Sequence, residues 1–233
     1  MVAQRSQTRP SVSELEPVHS PMHSLWLFIA ITAVALVIVL WAERVDKPLF
    51  NLIFKPIASL GFVAAAFVIE ALGSLLGAVL FVSLVLSMAG DVFLIFKESK
   101  RAFLAGIGSF LLSHVGYIVV FALLGVHALA LAVALGVFAF IARYIAGWLR
   151  PHTTGVMRVA VPAYIAVITL MVAFSVGTTV LHGEALPVLA ATTFWLSDLT
   201  VARQRFVKAE FMNRLVGLPL YYAAQYMFVG LLV

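Results

Sequence analysis

Cysteine is absent from all 233 residues. That excludes disulfides, thiolate metal sites and cysteine nucleophiles together. Charge is nearly as scarce, since Asp, Glu, Lys and Arg make up 11% of the chain where a soluble domain carries about 25%. Neither an H-E-x-x-H metal motif nor a G-x-S-x-G nucleophile elbow occurs, so zinc hydrolysis and triad-type ester hydrolysis lack their usual supports. Six histidines are scattered at 19, 23, 114, 127, 152 and 182. Of these, His114 alone falls inside an apolar run, which speaks against a histidine-built metal site.

What is abundant is hydrophobicity, at 64% of residues with a mean hydropathy of +1.11. This composition belongs to an integral membrane protein. Residues 1–23 are polar and carry Pro10, Pro17 and Pro21, which reads as a flexible tail. A signal peptide is the competing reading, but Leu25 to Trp41 ends in Glu43-Arg44 without a small-residue exit. The remainder, 24–233, divides into runs of the length a bilayer crossing needs, at about 20 residues each. They cover roughly 25–41, 52–69, 74–96, 102–124, a fifth run to 148, then 159–180, 185–201 and 215–233. Pro56 falls in the first turn of the second run, where its missing N–H is harmless. The expected fold is all-α, a single polytopic bundle of about eight transmembrane helices.

Basic residues support that count. Arg44, Lys47, Lys55, Lys97, Lys100, Arg101, Arg143, Arg150, Arg158, Arg203, Arg205, Lys208 and Arg214 all lie in or beside alternate connections, and of the 15 Lys and Arg only Arg5 and Arg9 lie elsewhere. By the positive-inside rule the basic connections are cytoplasmic and both termini are outside, in a multi-pass protein of the cell membrane. The net charge of +5 is therefore a matter of orientation, and no nucleic-acid partner is implied.

Against this background the polar residues within the runs carry the information. Asp91 interrupts the third run and Asp198 the seventh, each close to the basic end, and a carboxylate in a span defaults to a functional hypothesis. Lys55, Arg143, Tyr144 and Asn213 occupy the same shelf. His114 and Tyr117 are i and i+3 neighbours on the fourth run, and Tyr222 and Gln225 on the eighth, so each pair shares a helix face. Were these faces to converge, they would bound one polar cavity open toward the basic side.

Plainer readings stand beside these. Asp91 would fix helix packing through an ion pair with Lys55 or Arg143, and Asp198 would be an interfacial carboxylate facing Arg203 or Arg205. His114 would bridge helices, Tyr221, Tyr222 and Tyr226 would pack, and Gly73 and Gly77 would allow close helix approach as a G-x-x-x-G. Two carboxylates in a partly dry pocket nevertheless supply a general acid and a general base, which suits a bond cleaved by protonation and water attack. Depth along the run assigns Asp91 as acid and Asp198 as base. A transporter or lipid translocase using intramembrane carboxylates is the alternative function.

The strings Lys55-Pro56, Gly90-Asp91-x-x-Leu94, His114-x-x-Tyr117, Pro162-x-Tyr164, Ser197-Asp198 with Ala202-x-x-Arg205-Phe206, and Tyr221-Tyr222-x-x-Gln225 resemble the pattern of the YhhN-like membrane proteins, the group that includes lysoplasmalogenase. The resemblance implies eight helices, no metal or organic cofactor, and hydrolysis of the vinyl ether bond of lysoplasmalogens to a fatty aldehyde and glycerophosphoethanolamine or glycerophosphocholine. The family's two catalytic aspartates map onto Asp91 and Asp198. Lys55, His114, Tyr117, Arg143, Tyr222 and Gln225 are the expected substrate-binding residues, and the expected partners are a lysophospholipid substrate and bilayer lipid.

Overall fold

The computed structural model describes residues 21–69, 71–96 and 98–233. The polar tail, apart from its last residues, and Lys97 of the basic series lie outside the described residues. Eight α-helices follow in order: α1 (Pro21–Arg44), α2 (Pro48–Val68), α3 (Leu75–Phe93), α4 (Lys100–Leu124), α5 (Ala128–Leu149), α6 (Met157–His182), α7 (Leu186–Ala202) and α8 (Phe211–Gly230). No strand is found among the described residues.

Local chemistry sets the ends. Ser74 and Ser99 cap α3 and α4, their Oγ atoms accepting from the backbone N–H groups of Gly77 and Ala102. Pro48 opens α2 and Pro187 opens α7, where no N–H is missed. Gly183, with φ +73°, closes α6 in the left-handed region that a residue with a Cβ adopts at a cost. Because α2 begins at Pro48 and not near residue 52, Pro56 and Lys55 stand inside the helix and not in its opening turn. The G-x-x-x-G also reads differently. Gly73 meets no neighbour, and a Cβ on Gly77 would strike the carbonyl of Ala71, so this pair serves a tight α2–α3 turn and not a helix interface.

Six helices, α1 to α6, are long and apolar enough to cross a membrane. The two that fall short are informative: α7 has 17 residues, and α8 carries Asn213, Arg214, Tyr221, Tyr222 and Gln225. Successive helices pair as α1·α2, α3·α4, α5·α6 and α7·α8, while α2·α3, α4·α6, α6·α7 and α1·α8 contacts close a ring. In that ring Asn213, Tyr221, Tyr222 and Gln225 of α8 are buried, while Leu189 and Leu196 of α7 and Leu215 and Val216 of α8 are exposed, which is how polar side chains are tolerated within hydrocarbon. Helix α5 sits outside it, packed on α6, with Ala134, Ile145 and Leu149 its only fully buried residues.

The ring's centre is aromatic. Tyr117 stacks on Phe228 with centroids 3.8 Å apart and planes 8° from parallel, and Phe194 packs edge-on against Phe110, Tyr117 and Tyr221. Phe110 and Tyr221 of this cluster line a cavity that opens at the basic end.

Candidate active site

Asp91, near the end of α3, is buried and surrounded by donors. Lys55 Nζ of α2 lies 2.8 Å from Oδ1, and also 3.2 Å from the Asp91 carbonyl. Ser59 Oγ donates to Oδ2 at 2.6 Å, and Tyr222 of α8 donates to the same oxygen at 3.1 Å. Lys55 and Ser59 are one turn apart on α2 and so share a face. With three donors on its two oxygens, Asp91 is placed as an acceptor-only carboxylate. Gly90 beside it leaves the space that the Phe110 ring occupies, bringing α4 against α3 at this level.

Asp198 of α7 has different company. Tyr164 of α6 donates to Oδ2 at 2.6 Å, and His114 Nε2 of α4 stands 3.4 Å from the same oxygen. His114 Nδ1 faces the carbonyl of Phe110, which can only accept, so the ring carries its hydrogen there and presents Nε2 to the carboxyl group. A hydrogen bond between Nε2 and Oδ2 then needs one further proton, held by the imidazole or by Asp198. As it stands, at 3.4 Å from Oδ2, Nε2 is buried without a hydrogen-bond partner. The Asp198 side chain is 16% exposed against 4% for Asp91, and that exposure is toward the cavity.

Both aspartates line the same cavity, with Lys55, Tyr164 and Tyr221, in about 1100 Å³ of empty space including its open mouth. Tyr221 lies within electrostatic reach of both carboxyl groups, and its buried hydroxyl has no partner. Leu94, Ile107, Ile145, Ile165 and Phe206 supply an apolar wall. At the mouth, a π-helical turn over Arg203–Val207 turns Gln204 and Arg205 toward the cavity, joined by Asn213 and Arg214. Arg203 pairs with Glu210 at 2.7 Å and bonds Asn213 Oδ1. Lys208, followed by Arg203, holds the Glu210 carboxyl below the ordinary glutamate range.

The expected site residues thus divide. Asp91, Asp198 and Lys55 line the cavity, while His114 and Tyr222 reach it through the two carboxyl groups. Tyr117 and Gln225 are bonded to each other at 2.7 Å behind the cavity, next to a Ser87–Ser113 pair, and line none of it. Arg143 is elsewhere: it is exposed on α5 in an outer groove. Its level along the bundle matches the site, but the rotation of α5 turns it away. Ser59, Tyr164, Tyr221 and Arg214 are the contributors that the sequence reading left out as site residues. Ser59 had a signal, being i+4 from Lys55; nothing in the sequence marked Tyr164 as the partner of Asp198. Among the described residues no cluster of three histidine, aspartate or glutamate side chains is placed to hold a metal ion.

The family model described as the YhhN family matches residues 50–232, most of the chain and every residue of this site. The chain belongs to the YhhN family. No curated protein and no solved structure matches it. As a YhhN-family member, it builds its cavity from α2 to α8, with Ile145 and Leu149 of α5 in the wall; every lining residue falls within the matched region, and α1 contributes none.

Proposed function

We propose that this YhhN-family protein hydrolyses the vinyl ether bond of lysoplasmalogens, releasing a fatty aldehyde and a glycerophospho alcohol. The observation that carries the reading is the convergence on one cavity of two carboxyl groups with unlike surroundings. Environments that separate two carboxyl groups are what divides acid from base duties.

The roles follow from the donors each group already has. Asp198, sharing a proton with His114, delivers it to the β carbon of the vinyl ether. The double-bond electrons form that C–H bond, leaving an oxocarbenium ion at the carbon bonded to oxygen. Asp91, held as an acceptor by Lys55, Ser59 and Tyr222, faces the developing cation and takes a proton from the attacking water. The hemiacetal then breaks its bond to the glyceryl oxygen, which takes the proton Asp91 has just received, while the hemiacetal hydroxyl returns a proton to Asp198 as its oxygen becomes the aldehyde carbonyl. This inverts the assignment drawn from depth. Depth along the run favoured Asp91 as acid, but α3 ends at Phe93, two residues beyond Asp91, while α7 continues four residues beyond Asp198. The ion pair with Lys55 further marks Asp91 as the carboxylate. It also occupies Lys55, so contact with a lipid phosphate falls to Arg214 at the mouth, whose Nε is buried without a partner.

The purified protein in detergent, with no ion gradient, is expected to release aldehyde from a lysoplasmalogen. In D₂O the aldehyde should carry deuterium on the carbon next to the carbonyl, placed there with one stereochemistry. Uptake into sealed vesicles without product would instead mark a transporter, and racemic deuterium would mean that no positioned acid protonates the carbon.

The same reading places the basic connections in the cytoplasm and both termini outside. In this cysteine-free chain, Thr154→Cys and Ala209→Cys should react with an impermeant thiol reagent only after cells are opened, and Glu184→Cys in intact cells; all three sites are exposed. The reverse labelling pattern would overturn the orientation.

A further inference from the structure

The arginine that the site did not absorb belongs to a second arrangement. Between Glu98 and Glu184 the chain has no acidic residue at all. Within that stretch Arg143 on α5, Arg150 in the turn after it and Arg158 in the first turns of α6 line one groove, together with Tyr144, Trp148 and Thr153. No carboxylate lines it, and among the described residues none of the three arginines pairs with one. Three uncompensated guanidinium groups side by side repel each other, so the arrangement favours an anion among them.

The turn is held in place. Thr153 is 4% exposed; its hydroxyl donates to the Arg150 carbonyl at 3.1 Å, and its own carbonyl accepts from Arg158 Nε at 3.3 Å. Gly155, at φ +55°, takes the left-handed step that lets the chain enter α6. The groove opens outward from α5, where Phe140 is 76% and Tyr144 77% exposed. It is separate from the cavity of the two aspartates, with Leu149 and Val161 as the shared wall.

We propose that this groove binds the headgroup phosphate of an anionic phospholipid from the surrounding bilayer. The arginines lie at the basic end of α5 and α6, at headgroup level. Trp148 and Tyr144 are the amphipathic rings found at that level, and Phe140, one turn deeper, lies where the acyl chain begins. Arginine offers a planar fork that meets two phosphate oxygens at once, and basic pockets between helices at this face suit anionic headgroups. A soluble anion would have no use for the apolar lower half of the groove. A carboxylate-bearing protein would have to reach it within the membrane. The proposal is independent of the hydrolytic reading, since no residue of the aspartate pair takes part.

The test uses Trp148 as reporter. The full chain with W26F, W41F and W195F is placed in phosphatidylcholine vesicles containing, at equal mole fraction, either dibrominated phosphatidylglycerol or dibrominated phosphatidylcholine. Brominated phosphatidylglycerol should quench Trp148 more strongly, and its apparent affinity should weaken about fivefold for each arginine lost across R143Q, R150Q and R158Q. A companion chain retaining Trp26 alone, far from the groove, should show no preference. Equal quenching of Trp148 by both lipids, a preference that survives the triple glutamine variant, or the same preference at Trp26 would each overturn the proposal. Native mass spectrometry of the chain with its tryptophans intact reads the same retention: phosphatidylglycerol should stay bound to the wild type and leave R143Q/R150Q/R158Q, and equal retention by both would contradict the site.

Discussion

Asp198→Asn should abolish measurable aldehyde release, with a loss of about 10²- to 10⁴-fold, in a protein that remains folded and inserted. Asparagine keeps the size of the side chain and can still accept from Tyr164, but it has no acidic proton to give. The effect on folding should be small because, among the described residues, Asp198 has no lysine or arginine partner, and His114 keeps its Nδ1 hydrogen on the Phe110 carbonyl. His114 also cannot substitute as the acid, since its Nε2 would carry no proton unless it gained one from the carboxyl group. Thermal unfolding in detergent and size-exclusion behaviour check the fold; the aldehyde assay checks the chemistry. Turnover above about a tenth of wild type in a well-folded variant removes Asp198 as the acid, because loss of a general acid typically costs at least about a hundredfold.

Removing one partner of the Lys55–Asp91 pair should act on stability first. Both side chains are almost fully buried, at 6% and 4% exposure, so Asp91→Asn leaves an ammonium group in the bundle with neutral neighbours. Breaking such a pair costs about 3–5 kcal/mol, whereas replacing both members by well-packed neutral groups is close to neutral or favourable. Asp91→Asn alone should therefore give a poorly behaved protein, and Lys55→Met with Asp91→Asn should recover the wild-type melting temperature without recovering activity. That double variant separates packing from catalysis. If it is stable and active, the pair is a structural clamp and Asp91 takes no part in the reaction. Equal stability of Asp91→Asn and wild type would mean that Lys55 is not held in the bundle as a charge.

The eight helices were legible because each run is long and apolar, and because the basic residues fall at alternate turns. Their ends were less so. Pro48 starts α2 before the apolar run does, and Ser99 caps α4 from within a charged segment. The reason is that caps and prolines set helix boundaries, whereas hydropathy reports only membrane exposure. For the site, depth along the bundle was readable and rotation was not. Asp91, Asp198, Lys55 and Arg143 all stand at one level, yet the first three face the cavity and Arg143 faces outward. The i and i+3 spacing of His114 and Tyr117 correctly placed them on one face, but that face meets Asp198 at one position and Gln225 at the next. Tyr164 lies on α6, 34 residues from Asp198 in the chain, and only helix contacts bring them together.

Protonation of a carbon–carbon double bond by a group in this cavity is the step on which the proposed reaction depends, and one comparison tests it directly. The purified wild-type chain is assayed for cleavage of three lysolipids that share headgroup and chain length: a vinyl ether, the matching saturated ether and the matching acyl ester. Cleavage of the vinyl ether with release of aldehyde, and no cleavage of the saturated ether, is the expected result, because only the former has a double bond to protonate. Cleavage of the acyl ester with no action on the vinyl ether would contradict it.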